Sequence, residues 1–138
     1  MKRTVMMIAV TLVVGIAVGI LTTQALMAQQ APVTRTTLQQ KDIEGAPGKE
    51  VIMYIADLVP GGVAGRHSHP GPEVAYVLEG SLVVEPDGQP PLTLKKGESF
   101  HNPAKAVHNA KNGSTTQPAK VLVVLIGEKG APLSTPVK

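Results

Sequence analysis

Cysteine is absent from the 138-residue chain. Disulfide staples are thereby excluded, and so is a lipid-modified N-terminal cysteine. The fold must hold by packing, to which a bound metal can add. Aromatic side chains are nearly as scarce: tryptophan is missing, and only Tyr54, Tyr76 and Phe100 occur. The core is therefore aliphatic, and a stacking platform for bases or sugars is not expected. Charge of one sign is also lacking. The net +3 comes from 13 basic and 10 acidic residues, and Lys2 and Arg3 supply two of the basic ones. Without them the balance is 11 against 10, or +1, so nucleic acid is not an expected partner. No candidate nucleophile stands beside a base, which leaves serine- or cysteine-hydrolase chemistry without support.

The N-terminus carries an address. Lys2 and Arg3 precede an apolar stretch from Val5 to Leu21, after which Thr22 to Ala28 turns polar and small. That order is the layout of a secretory signal peptide over residues 1–28, with cleavage near Ala28. The alternative is a retained membrane anchor, although a helix over Val5–Leu21 rises only about 25 Å, short of the roughly 30 Å hydrocarbon core. Either way the domain is expected outside the cytoplasm, periplasmic or secreted, or anchored to the inner membrane facing outward. A membrane contact is expected only if the segment stays uncleaved.

Residues 29–46 are polar, rich in Thr and Gln, and read as a linker or N-terminal arm with room for one strand along the domain. From residue 47 to 138 the pattern changes. Val51–Leu58, Val74–Leu78, Leu82–Glu85, Leu92–Leu94, Gly97–Phe100, Ala106–Ala110 and Lys120–Ile126 are short β-prone runs. Turn clusters such as Pro60-Gly61-Gly62 and Pro86-Asp87-Gly88-Gln89-Pro90 separate them. About seven or eight strands follow, with no helical apolar stripe, and the expected class is an all-β sandwich or barrel.

Three of the four histidines fall into one constellation. Side chains alternate along a strand, so His67 and His69 project from the same face. Pro70-Gly71-Pro72 then bends the chain, and Glu73 opens the next strand, where it can meet the imidazoles from beside them. Two neutral imidazoles and a carboxylate on one wall suit a first-row divalent metal, and His108 can add a ligand from farther along the chain. A lone His-x-His is more often a pair of surface loop residues; the carboxylate four residues beyond His69 weighs against that here. Ala75 and Val77 share the parity of Glu73 and are expected to face inward, Tyr76 and Arg66 outward. His101 reads as a surface or supporting histidine.

With these residues in view the chain resembles the cupin superfamily, in particular small single-domain cupins of type 2 related to quercetin dioxygenase. Gly61, His67, His69, Glu73 and Gly80 meet the first family motif without a gap, and Gly97, Pro103, His108 and Asn112 meet the second. Lys105 departs, standing where the family has glycine. The resemblance covers roughly Val51 to Ile126. It implies a jelly-roll double-stranded β-helix barrel with one divalent transition metal (Mn, Fe, Ni, Co, Cu or Zn) held by His67, His69, Glu73 and His108. It further implies that Pro103 sets the turn before the metal strand and Asn112 ties down its exit. If the family's glycine there uses positive φ, Lys105 either carries strain or gives the turn another shape; it reads as a solvated lysine, with a reach to the pocket mouth toward an anionic substrate as the alternative.

The function implied is a metal-dependent, dioxygenase-type oxidation of a small organic substrate, with Glu73 shifting between ligand and general base. Metal-dependent isomerisation or lyase chemistry, and non-catalytic binding of a metal or small ligand, are the alternatives, because one barrel serves many chemistries. A homodimer is expected from the resemblance alone.

Overall fold

The computed structural model describes residues 32–138; the proposed signal segment lies outside the described residues. Ten strands and no helix make up this unit. They are β1 (Val33–Asp42), β2 (Lys49–Leu58), β3 (His67–Ser68), β4 (Glu73–Glu79), β5 (Ser81–Pro86), β6 (Leu92–Lys95), β7 (Ser99–Asn102), β8 (His108–Asn112), β9 (Ala119–Glu128) and β10 (Thr135–Pro136). Two five-stranded antiparallel sheets result, ordered β1-β2-β9-β4-β7 and β10-β3-β8-β5-β6. The residues read as a linker or arm thus contain a ten-residue strand, paired antiparallel to β2.

Strict alternation explains the two-sheet packing. In β2 and β9 every second residue is buried, as a strand with one face on a core requires. The buried set is Ile52, Tyr54, Ala56 and Leu58 from β2, Ala119, Val121, Val123 and Leu125 from β9, and smaller contributions from β4, β5 and β6. Tyr54 is the one aromatic among them, in line with the aliphatic core expected from composition. Several inward positions are alanine, including Ala56 and Ala75, and these leave space rather than filling it.

Two turns place the site. Gly71 sits so close to β9 that a Cβ there would lie 1.6 Å from the Ile126 carbonyl oxygen; only glycine lets the chain turn against that strand and start β4 at Glu73. Lys105 has φ 62°, the strained of the two outcomes left open for it, and its amide donates to the His69 carbonyl at 3.0 Å. The left-handed turn therefore ties the loop before β8 to the loop carrying His69. Since Lys105 is exposed, Lys105→Gly removes the Cβ strain without a packing loss. Urea unfolding is expected to show an unchanged or up to about 1 kcal/mol more stable protein, the gain limited by glycine's extra chain entropy.

Asn112 closes the exit of β8 as anticipated. Its buried amide donates to the carbonyls of Leu58, Val59 and Gln117 at 2.8–3.3 Å and accepts from the Ser114 amide at 2.9 Å. A single side chain thus satisfies backbone groups from the end of β2 and from the β8–β9 loop, none of which could be left unpaired in the interior without cost.

Candidate metal centre

β3 and β8 are paired so that His67 stands directly opposite His108. His69 follows two residues later with the same parity, and Glu73 enters from the facing sheet at the start of β4. All four side chains are buried, 3–6 % exposed, a level these polar residue types seldom reach without partners. Ring centroids lie 4.4 Å apart for His67 and His108, 4.8 Å for His67 and His69, and 5.3 Å for His69 and His108. One ligand nitrogen from each of the three histidines falls within 4.8 Å of the others, so the trio could hold a metal ion.

Hydrogen bonding decides which nitrogens are available. Nδ1 of His67 lies 2.7 Å from the Gly65 carbonyl oxygen, and Nδ1 of His69 lies 2.6 Å from the Leu133 carbonyl oxygen. A carbonyl only accepts, so each Nδ1 carries the proton and each Nε2 presents a lone pair. Burial pushes the His69 and His108 imidazoles down to about 4 and lowers His67 as well, so near neutrality all three are uncharged. Nε2 of His69 then faces Oε2 of Glu73 at 3.2 Å, and Nε2 of His108 lies 3.5 Å from Oε1. The His69 lone pair and a carboxylate oxygen at 3.2 Å repel unless a cation or proton stands between them. Burial has raised the Glu73 carboxyl to about 7, as expected for a carboxylate lacking a compensating charge. The donor set fits a divalent transition metal on these grounds.

Asn102 is a partner that the sequence did not reveal as part of the site. It is 2 % exposed, stands opposite Glu73 in the β4–β7 pairing, lies close enough to that carboxyl to favour its charged form, and brings its amide nitrogen 2.9 Å from Nδ1 of His108. It is thus a positioning residue for two of the four expected ligands. Asn102→Leu keeps the volume and removes both polar contacts. Zinc affinity by chelator competition is expected to fall about 10–100-fold with the fold intact by circular dichroism. His101, its neighbour, is exposed and points away from the cluster.

Around the cluster runs a cavity of about 490 Å³, counting the space that opens to solvent. Its walls are mostly aliphatic, with Ala56, Ala75, Val84 and Val123 among them, and Phe100 beside His108. Ala75 faces inward as expected, and Val77 is wholly buried, though it packs in the core rather than lining the cavity. Tyr76 is 43 % exposed on the opposite face. Arg66 likewise points outward, paired with Asp87 at 2.5 Å and donating to the Lys138 carbonyl at 2.7 Å. Lys105 does not line the cavity. Arg35 does, from the strand that read as a linker.

The fold and site define a small all-β domain of jelly-roll arrangement with three buried histidines that could hold a metal ion. Residues 54–125 match the family Cupin_2, described as a cupin domain, and the chain belongs to the cupin superfamily. Among curated proteins it is similar to germin-like protein 3-1 of Oryza sativa subsp. japonica, 41% identical over 85 residues covering 58% of this chain and 38% of that protein. Among solved structures it resembles an oxalate oxidase in complex with the substrate analogue glycolate (TM-score 0.61, 25% identity, 79% of this chain and 57% of that one). It also resembles a DMSP lyase from Ruegeria pomeroyi DSS-3 (TM-score 0.63, 21% identity, 77% and 52%), a likeness of fold alone. The chain spans less than two fifths of the length of the curated relatives it matches.

Proposed function

We propose that this protein is an exported single-domain cupin that holds one divalent transition metal through His67, His69, Glu73 and His108 and oxidises a small oxygen-bearing substrate. The observation that carries the reading is the approach of the Glu73 carboxylate to two imidazole nitrogens at 3.2 and 3.5 Å inside an aliphatic cavity. Bound there, the ion supplies Lewis acidity to a coordinated substrate oxygen and, when redox-active, an electron relay to O₂. The chain's own residues do the rest. The carbonyls of Gly65 and Leu133 fix the tautomers of His67 and His69, and the aliphatic wall keeps water away and strengthens the electrostatics of the site. Glu73, with a carboxyl at about 7, sits where it can take or return a proton near neutral pH. Export is proposed from Lys2, Arg3 and the Val5–Leu21 run, ahead of the described residues.

The test is oxygen uptake by iron-, manganese- or nickel-loaded protein given catechols, flavonols or β-diketones. Turnover by one metal form, lost on chelation, supports the oxidation. Absence of turnover in every form, with a metabolite raising the melting temperature instead, favours a non-catalytic binding protein.

A second copy of the chain is the proposed partner. The outward positions of β4 and β9 expose Val74, Tyr76 and Ile126, and the neighbouring Leu122 and Val124 are half-buried. A sheet apolar on both faces is unlike the half-solvated antiparallel sheet of a monomer, and a flat self-facing patch suits two-fold pairing. Light scattering that gives the monomer mass at micromolar concentration would contradict the dimer.

A further inference from the structure

β1 contributes more than an edge to the barrel. Its register with β2 sets Val33 against Leu58 and Arg35 against Ala56, and all four line the cavity. Arg35 is exposed, so it stands at the mouth rather than in the interior. Its guanidinium lies near the side chain of the buried Tyr54, and its charge is felt by Glu73, His67 and His69. Apart from the histidines and Glu73, Arg35 is the one ionic side chain in the cavity lining. Among the described residues no carboxylate lies within 4 Å of it, although seven other basic side chains or histidines have such partners nearby.

Charge counting then sets the ligand class. A divalent ion contributes two positive charges, Glu73 removes one, Arg35 restores one, and the three histidines are neutral. Two positive charges facing one aliphatic cavity make it attractive to an anion, and a neutral ligand gains nothing from them. An anion that touches both the ion and the guanidinium neutralises them. The planar fork of an arginine matches the two oxygens of a carboxylate. We infer that Arg35, at the cavity mouth beside Tyr54, is the carboxylate-binding end of the metal pocket, and that the substrate is a small carboxylate with a second oxygen donor for the metal. The inference rests on the metal-site reading above and narrows it to anionic substrates.

The probe is glycolate, with ethylene glycol as its uncharged counterpart, titrated calorimetrically into zinc-loaded protein, in which no redox turnover occurs. Wild type is expected to bind glycolate in clear preference to ethylene glycol. Arg35→Gln is expected to weaken glycolate on the order of 10- to 100-fold, the range for a lost charged hydrogen-bonding partner, with zinc stoichiometry unchanged. Arg35→Lys recovers part of the affinity, because it restores charge without the fork. Arg35→Gln binding glycolate within twofold of wild type while retaining zinc overturns the inference. If wild type takes up no zinc, the metal-site reading fails on its own, and glycolate on the metal-free protein decides. Binding that depends on Arg35 upholds the anion site, and binding that is absent or indifferent to Arg35 overturns it.

Discussion

His108→Ala is expected to strip the protein of its metal. His108 comes from β8, 35 residues beyond Glu73, and supplies the wall opposite His67. Its loss leaves His67, His69 and Glu73 without their long-range partner and opens a hole beside Phe100, 6.3 Å away. The affinity loss should exceed the ~100-fold that removing an outer-shell partner costs. A second readout is linked to it. At zinc concentrations about 100 times the dissociation constant, wild type gains about 2.7 kcal/mol of stability from the ion. His108→Ala should show almost none of that gain, while its metal-free form still unfolds cooperatively. Equal zinc content in variant and wild type, by elemental analysis after gel filtration, would contradict the ligand assignment.

The second large effect is on pH dependence. Metal binding requires every ligand to be deprotonated. With Glu73 at about 7 and His69 and His108 at about 4, the carboxyl is the last group to give up its proton as pH rises. Zinc affinity should be flat above pH 7 and fall about tenfold per unit below it, reaching roughly 100-fold weaker at pH 5 than at pH 8. Exposed histidines of ordinary pKa would behave differently, losing affinity steeply only below about 6.5. Glu73→Gln should bind more weakly overall and lose the slope between pH 5 and 7. Chelator competition across that window measures both curves; a wild-type curve that is level from pH 5 to 7 would sink the prediction.

The same shifts act on the metal-free fold with opposite signs. Glu73 is raised from 4.5, so its contribution to stability is present below that value and lost as pH rises through about 7. His69 and His108 are lowered from 6.5, so theirs is present above that value and lost as pH falls toward 4.

How much of this was legible in the sequence differs residue by residue. The four expected ligands could be read because His67 and His69 share a parity, a proline–glycine turn separates them from Glu73, and these are chemically unusual residues at motif spacing. The strands β2, β4, β5 and β9 were legible because half-buried strands alternate. β1 was legible only as room for one strand in an arm, since its VTRTTLQQKD sequence is exposed on nearly every residue and carries no apolar period. Its place is set by backbone pairing with β2, and with it went Arg35. Asn102 reads as a turn residue before Pro103; its inward aim follows from standing opposite Glu73, which no local pattern encodes. The Leu133 carbonyl that fixes the His69 tautomer lies 64 residues away in a tail that looks irregular. Local periodicity therefore located the donors, while the groups that orient them came from tertiary pairing.

The most direct test is crystallographic. Anomalous diffraction collected at the absorption edge of the metal that copurifies with the protein locates the ion independently of any assumption about ligands. The account predicts one peak, bonded to the Nε2 atoms of His67, His69 and His108 and to a Glu73 oxygen. A peak elsewhere, for instance at the exposed His101, or a fully folded protein that takes up no ion when metal is supplied, would contradict it.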